Sequence, residues 1–165
     1  MIRLLKCVTF KNIAVTYGAA IANISNGGIT LLNCKFEKIS SNSFPGSFRV
    51  TDSYFTVNNC YFSDCSASGA NECYGRIAYV TNSNISVEHF SAIRCSTRAY
   101  SAGDSVNAFH SSDISISDYN TSLCYGTDGS STVSIYSPFK VFTIKNINSA
   151  DCIDWNVYEY YFSAY

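Results

Sequence analysis

The sequence predicts an all-β solenoid of about six coils, built from short parallel strands that stack and a chain that turns at fixed corners. Three observations carry that expectation. A residue column recurs along the whole chain at Val8, Cys34, Cys60, Phe90, Tyr119 and Ile147, in steps of 26, 26, 30, 29 and 28 residues. From the second repeat onward the positions five and three residues before it are apolar, as in Ile29 and Leu31, Phe55 and Val57, or Ile114 and Ile116. No window carries a sustained 3.6-residue period, so helix is not expected.

Apolar residues at i and i+2 are the signature of a strand with one buried face. A second short alternating run precedes the first in each repeat: Ala22 and Ile24, Phe48 and Val50, Ala78 and Val80, Asn107 and Phe109, Val133 and Ile135. Turn formers such as Asn26-Gly27-Gly28, Pro45-Gly46 and Asp128-Gly129 separate the runs. Just before the recurring column stand Asn33, Asn59, His89, Asp118 and Asn146. Asn, Asp and His tolerate the left-handed backbone region best among non-glycine residues, so a corner is expected there. Five residues after the column come Ile13, Ile39, Cys65, Cys95, Cys124 and Cys152, a further interior position.

Residues 17 to 36, with Tyr17-Gly18-Ala19-Ala20-Ile21 leading to Asn33-Cys34-Lys35-Phe36, resemble the right-handed parallel β-helix repeats of polymorphic-outer-membrane-protein type, within the pectin-lyase-like superfamily. The resemblance spans about residues 3 to 152, and the Asn-Cys-x-Phe string is clear only at Asn33–Phe36 and Asn59–Phe62. It implies a single-stranded right-handed parallel β-helix and places polysaccharide-cleaving enzymes among the fold's users, so fold alone does not decide function. A leucine-rich-repeat solenoid is the alternative fold, since Ile29-x-Leu31-x-x-Cys34 fits its strand. Against it, Asn26, Asp52 and Asn82 occupy the place of an expected leucine, and the rest of each repeat alternates as a strand.

With 165 residues the chain reads as one domain, 1–165. Only 14% of residues are charged against 47% hydrophobic, so hydroxyls and amides must supply the solvated surface. A net charge of −1 offers no footprint for nucleic acid. No apolar run reaches the roughly 18 to 20 residues of a membrane span, so no membrane insertion is expected. The N-terminus lacks the apolar core and cleavage site of a signal peptide. Residues 153–165, aromatic and centred on Trp155, would cap the last coil or begin another, and a fragment of a longer solenoid with adjacent coils is the favoured expectation.

The eight cysteines fall mainly in interior columns, where stacked side chains run parallel and do not converge, so free thiols are expected. Cys73 lies outside the columns, and a disulfide to Cys65 or Cys60 is open to it. With no Cys-x-x-Cys pair and only His89 and His110, neither a metal site nor a cofactor is expected.

The site residues of galacturonan hydrolases, which the resemblance makes the natural comparison, have no counterpart: no Asn-x-Asp, Asp-Asp, Gly-His-Gly or Arg-x-Lys string falls on one face. His110-Ser111-Ser112-Asp113 holds the residue types of a triad, but sequence neighbours seldom converge as one. Thr30, Thr56, Ser86, Ser115 and Thr143 form an outward hydroxyl column. The next outward column, Leu32, Asn58, Glu88, Ser117 and Lys145, lacks the match an ice-binding face requires. Thirteen tyrosines and 11 phenylalanines make aromatics abundant. Tyr61, Tyr74, Tyr79 and Tyr100 are the candidate binding residues, able to stack on sugar rings or protein partners. The expected function is a non-enzymatic adhesion or binding module for glycan or protein, extracellular or at a cell surface. A carbohydrate-active enzyme and a structural spacer are the alternatives.

Overall fold

The computed structural model describes residues 2–42, 45–68, 75–97, 106–111, 113–124, 133–135 and 143–152. Among them every regular element is a strand: β1 (Ile2–Lys6), β2 (Thr9–Val15), β3 (Ala22–Ser25), β4 (Gly28–Leu32), β5 (Lys35–Ser41), β6 (Phe48–Thr51), β7 (Tyr54–Ser63), β8 (Ser66–Ala67), β9 (Ala78–Thr81), β10 (Asn84–Ile93), β11 (Ser96–Thr97), β12 (Asn107–His110), β13 (Asp113–Ser122), β14 (Val133–Ile135) and β15 (Thr143–Ala150). All pairings are parallel. The larger sheet runs β1-β4-β7-β10-β13-β15, with β2, β5, β8 and β11 continuing it past a corner, and the smaller runs β3-β6-β9-β12-β14. The chain is therefore a parallel β-solenoid. It makes about four turns instead of the expected six, because the recurring column counts the partial first and last repeats as whole coils. The runs that a leucine-rich repeat would make helical are the strands of the smaller sheet, which removes that alternative.

Each turn bends at left-handed corners. The expected column is there, with φ between 49° and 53° at Asn33, Asn59, His89, Asp118 and Asn146 and 52° at Cys7. A second column, Asn12, Lys38, Asp64, Arg94, Leu123 and Asp151, has φ of 51–56°. The third is Asn26, Asp52 and Asn82, at 48–53°. The backbone N–H at these corners still donates upward to the next coil, as from Asn33 to the Asn58 carbonyl at 3.0 Å, Arg94 to Ser122 at 3.1 Å and Leu123 to Ala150 at 3.0 Å. Those bonds hold even Leu123 in a conformation that disfavours a side chain by about 1 kcal/mol or more.

The residue after each corner explains the cysteines. Cys34, Cys60, Cys65, Cys95 and Cys124 are buried free thiols whose sulfurs donate to the carbonyl two residues back, at 3.3–3.6 Å. Four of those carbonyls, on Leu32, Asn58, Ile93 and Ser122, also accept the corner N–H of the coil below. Cysteine suits the position as a small apolar side chain with a weak donor, although Ile39, Phe90 and Tyr119 fill it in other coils. At the third corner serine takes the same role: Ser53 and Ser83 donate to Thr51 and Thr81 at 2.7 Å. Their hydroxyls in turn accept from the coil below, Gly27 N–H to Ser53 and Ser53 N–H to Ser83, both at 3.0 Å. Ser83 N–H continues the chain to the Ser111 hydroxyl at 3.0 Å.

Inside, Phe10, Phe36, Phe62, Phe90 and Tyr119 stack in one continuous pile with centroid spacings of 5.2, 4.5, 5.2 and 4.4 Å. The register pairs Cys60 with Phe90 and Phe62 with Ala92, so the rings change column midway. Lower coils set a small Cys34 or Cys60 beside Phe36 or Phe62, and upper coils set Phe90 or Tyr119 beside Ala92 or Thr121. Total volume per layer is kept, which preserves close packing. Tyr119 accepts a hydrogen bond on its hydroxyl from the Asn107 amide at 2.7 Å, which satisfies its buried polar end. Gly46 lies where an added Cβ would sit 1.7 Å from the Arg76 carbonyl oxygen, so the approach of adjacent coils there requires glycine.

Candidate functional site

Strand alternation places the interior residues of β4, β7, β10 and β13 on one side and a polar face on the other. On that face the hydroxyl column stands in register, Thr30 beside Thr56, Ser86, Ser115 and Thr143. A parallel column runs Gly28, Tyr54, Asn84 and Asp113. Tyr54, at 57% exposure, is among the most exposed aromatic side chains described. Gly28 beside it has no side chain, and a Cβ there would press on the Tyr54 Cβ at 3.1 Å. Above Tyr54 the side chains shorten. The result is a shallow, open depression of about 320 Å³ lined by Tyr54, Thr56, Asn84, Ser86, Asp113 and Ser115.

The first corner borders this face and carries a line of side-chain hydrogen bonds. Asn59 donates to Asn33 at 2.7 Å, and Asn146 to Asp118 at 2.8 Å. Between them His89 lies 3.4 Å from Asp118 through Nδ1 and 3.6 Å from Glu88 through Nε2. Asn58 donates to Glu88 at 2.7 Å. Glu88 and Asp118 thus approach opposite sides of one imidazole. Among the described residues no three His, Cys, Asp or Glu side chains converge on a site for a metal ion.

Of the four candidate tyrosines, Tyr61 lies past that corner, on the outer side of the larger sheet's continuation. It is 36% exposed, with the Lys35 ammonium 5.6 Å from its ring centroid. Ion pairs surround it: Lys35 to Glu37 at 2.5 Å, Lys11 to Glu37 at 3.1 Å, and Arg94 to both oxygens of Asp64 at 2.7 and 3.0 Å. The hydrogen bonds to Lys35 and Lys11 lower the Glu37 pKa, and that from Arg94 lowers the Asp64 pKa. Tyr79 stands on the smaller sheet, edge-on to His110 at 5.2 Å. Burial lowers the pKa of His110. The structure therefore sets Tyr61 and Tyr79 on separate faces. Tyr74 and Tyr100 lie outside the described residues, as do Cys73, Asp128-Gly129 and residues 153–165.

Two features of this surface escaped the sequence reading. Tyr54 is not among the candidate tyrosines named from the sequence, and only the register with Gly28 and Asn84 makes it the wall of a depression. Glu88 and Asp118 are 30 residues apart in sequence and meet only through adjacent coils; the equal column spacing was the available signal. No helix among the described residues is long and apolar enough to cross a membrane. The chain matches no protein-family model, no curated protein and no solved structure.

Proposed function

We propose that this solenoid is a non-enzymatic binding module for glycan, secreted or at a cell surface, whose repeats are of the polymorphic-outer-membrane-protein type within the pectin-lyase-like superfamily. The supporting observation is the open depression against Tyr54. An aromatic ring beside in-register hydroxyls, an amide and a single carboxylate matches the chemistry of a sugar ring, which has apolar C–H faces and hydroxyl edges. An open trough suits a chain lying across coils better than a small molecule that needs enclosure. Tyr61, with Lys35 and Arg94 near it, supplies a second platform beyond the corner, suited to acidic sugars or protein. In this reading the stacked interior cysteines remain a ladder of reduced thiols and serve packing alone.

Tyr54→Ala removes the ring and leaves the surrounding backbone bonds in place. It should weaken polysaccharide binding by about tenfold, equivalent to about 1.4 kcal/mol, measured by titration calorimetry with far-ultraviolet dichroism unchanged. Equal affinity of the two proteins would remove the depression from the reading.

The Glu88–His89–Asp118 line favours a second reading, glycoside hydrolysis, which uses two carboxyl groups flanking the scissile bond. Both side chains are well solvated, at 48% and 37% exposure. That setting lacks the burial by which enzymes tune a catalytic acid, so binding is favoured.

A further inference from the structure

We propose that the depression against Tyr54 selects chains of 2-amino sugars, with one sugar ring on Tyr54 and the ammonium of the sugar two residues along at the Asp113 carboxylate. The inference rests on the glycan-binding reading above and names the class of glycan. Tyr54, Asn84 and Asp113 stand in one column, each in register with the next coil. Thr56, Ser86 and Ser115 stand in the column beside it. Parallel strands are about 4.8 Å apart, so the backbones of Tyr54 and Asp113 lie about 10 Å from each other along the solenoid. One sugar of an extended, equatorially linked chain is close to one such step in length. A chain laid across the coils therefore places one sugar on each. In a ribbon with two-fold screw symmetry, alternate sugars present the same edge. The sugar that covers Tyr54 and the one that reaches Asp113 are such alternates, so both meet the surface in the same orientation.

Charge then decides the substituent. Among the described residues that line the depression, Asp113 carries the single formal charge, and no Lys, Arg or His lines it. Its side chain is exposed, as are those of Asn84, Ser86 and Ser115. Two further carboxylates on the same coils, Glu88 and Asp118, stand outside the depression. Both are engaged there: Glu88 accepts from Asn58 at 2.7 Å and Asp118 from Asn146 at 2.8 Å. Lys145 pairs in register with Ser117 and also lies outside it. A uronate two sugars along from Tyr54 would set carboxylate against carboxylate, and a hydroxyl there gains nothing from the charge. An ammonium at C2 is attracted to Asp113, while the C–H face of the sugar on Tyr54 remains available for stacking.

The test is titration calorimetry of the full chain at about pH 6, where an ordinary amine is charged. It compares the β-linked glucosamine trimer with cellotriose, the neutral trimer of the same linkage that has a hydroxyl in place of each amine. In about 50 mM salt the amino trimer should bind about fivefold more tightly, the effect of one exposed ion pair. In about 500 mM salt the two affinities should converge, since exposed charges are then screened. Asp113→Asn should bring their low-salt ratio close to one, whereas Glu88→Gln should leave most of it. Equal affinities in low salt overturn the inference. So does a preference that Asp113→Asn retains, or one that Glu88→Gln lowers equally. Each of those results leaves glycan binding itself standing. Failure of both trimers to bind also overturns the inference; retention of longer polysaccharides by the same protein then keeps the broader reading, and its absence removes both.

Discussion

Phe62→Ala should destabilise the protein by about 3–5 kcal/mol, the range for removing a fully buried aromatic ring. Phe62 has no exposed surface and lies between the rings of Phe36 and Phe90, at 4.5 and 5.2 Å. Phe48 also meets it edge-on at 6.4 Å. The loss therefore opens a cavity and divides the aromatic pile in two. Neighbouring coils cannot close the gap, because strand pairing fixes their spacing at about 4.8 Å. Urea unfolding followed by tyrosine fluorescence measures the effect. The column exchange gives a second arm. Cys60→Phe/Phe62→Ala moves the ring to the column that Phe90 and Tyr119 use in the upper coils, and should recover part of the loss. A double variant no more stable than Phe62→Ala would mean that layer volume does not govern this core.

Stability should also fall steeply in alkali. Burial raises the Cys60 pKa from 9.0 to about 11. Burial likewise pushes Cys95 and Tyr119 well up, and the hydrogen bond that Cys124 donates to Cys95, together with burial, raises Cys124. In each case the folded state holds its proton more tightly than the unfolded chain does. The stabilisation is therefore complete below the ordinary thiol pKa of 9.0 and is lost as pH rises through the folded value. For Cys60 alone, a pKa rise of that size corresponds to a few kcal/mol at most. Urea midpoints under reductant should be level to about pH 8 and then drop toward pH 11. Cys60→Ala should flatten that drop. A wild-type midpoint unchanged between pH 8 and 11 would contradict it.

The interior was legible in the sequence because its physics is local and repeated. Alternation at Phe55 and Val57 or Ile85 and Val87 declares a buried strand face, and Asn33, Asn59 and Asp118 declare a corner by residue type. The second corner was only half legible: Asn12, Asp64 and Asp151 are left-handed formers, but Lys38, Arg94 and Leu123 are not, and coil-to-coil hydrogen bonds hold Arg94 and Leu123 there. The Asn-Cys-x-Phe string is clear in only two repeats because Phe90 and Tyr119 carry the rings two positions earlier, with Ala92 and Thr121 in the place of Phe62. The cysteines looked like apolar filler, and their hydrogen bonds to corner carbonyls appear only with coordinates. On the outer surface, neighbours such as Gly28, Tyr54 and Asn84 are 26 and 30 residues apart. Their side chains obey no apolar rule, so sequence identifies the columns without saying which one forms a binding surface.

On the function proposed above, this polar face binds glycan without cleaving it. The most direct test incubates the purified protein with a panel of neutral and acidic polysaccharides, recording retention and new reducing ends in the same samples. Retention without new reducing ends is the predicted result. Release of reducing ends that Glu88→Gln or Asp118→Asn abolishes would contradict it and make the Glu88–His89–Asp118 line a catalytic centre. Neither retention nor release would contradict it equally and leave a spacer.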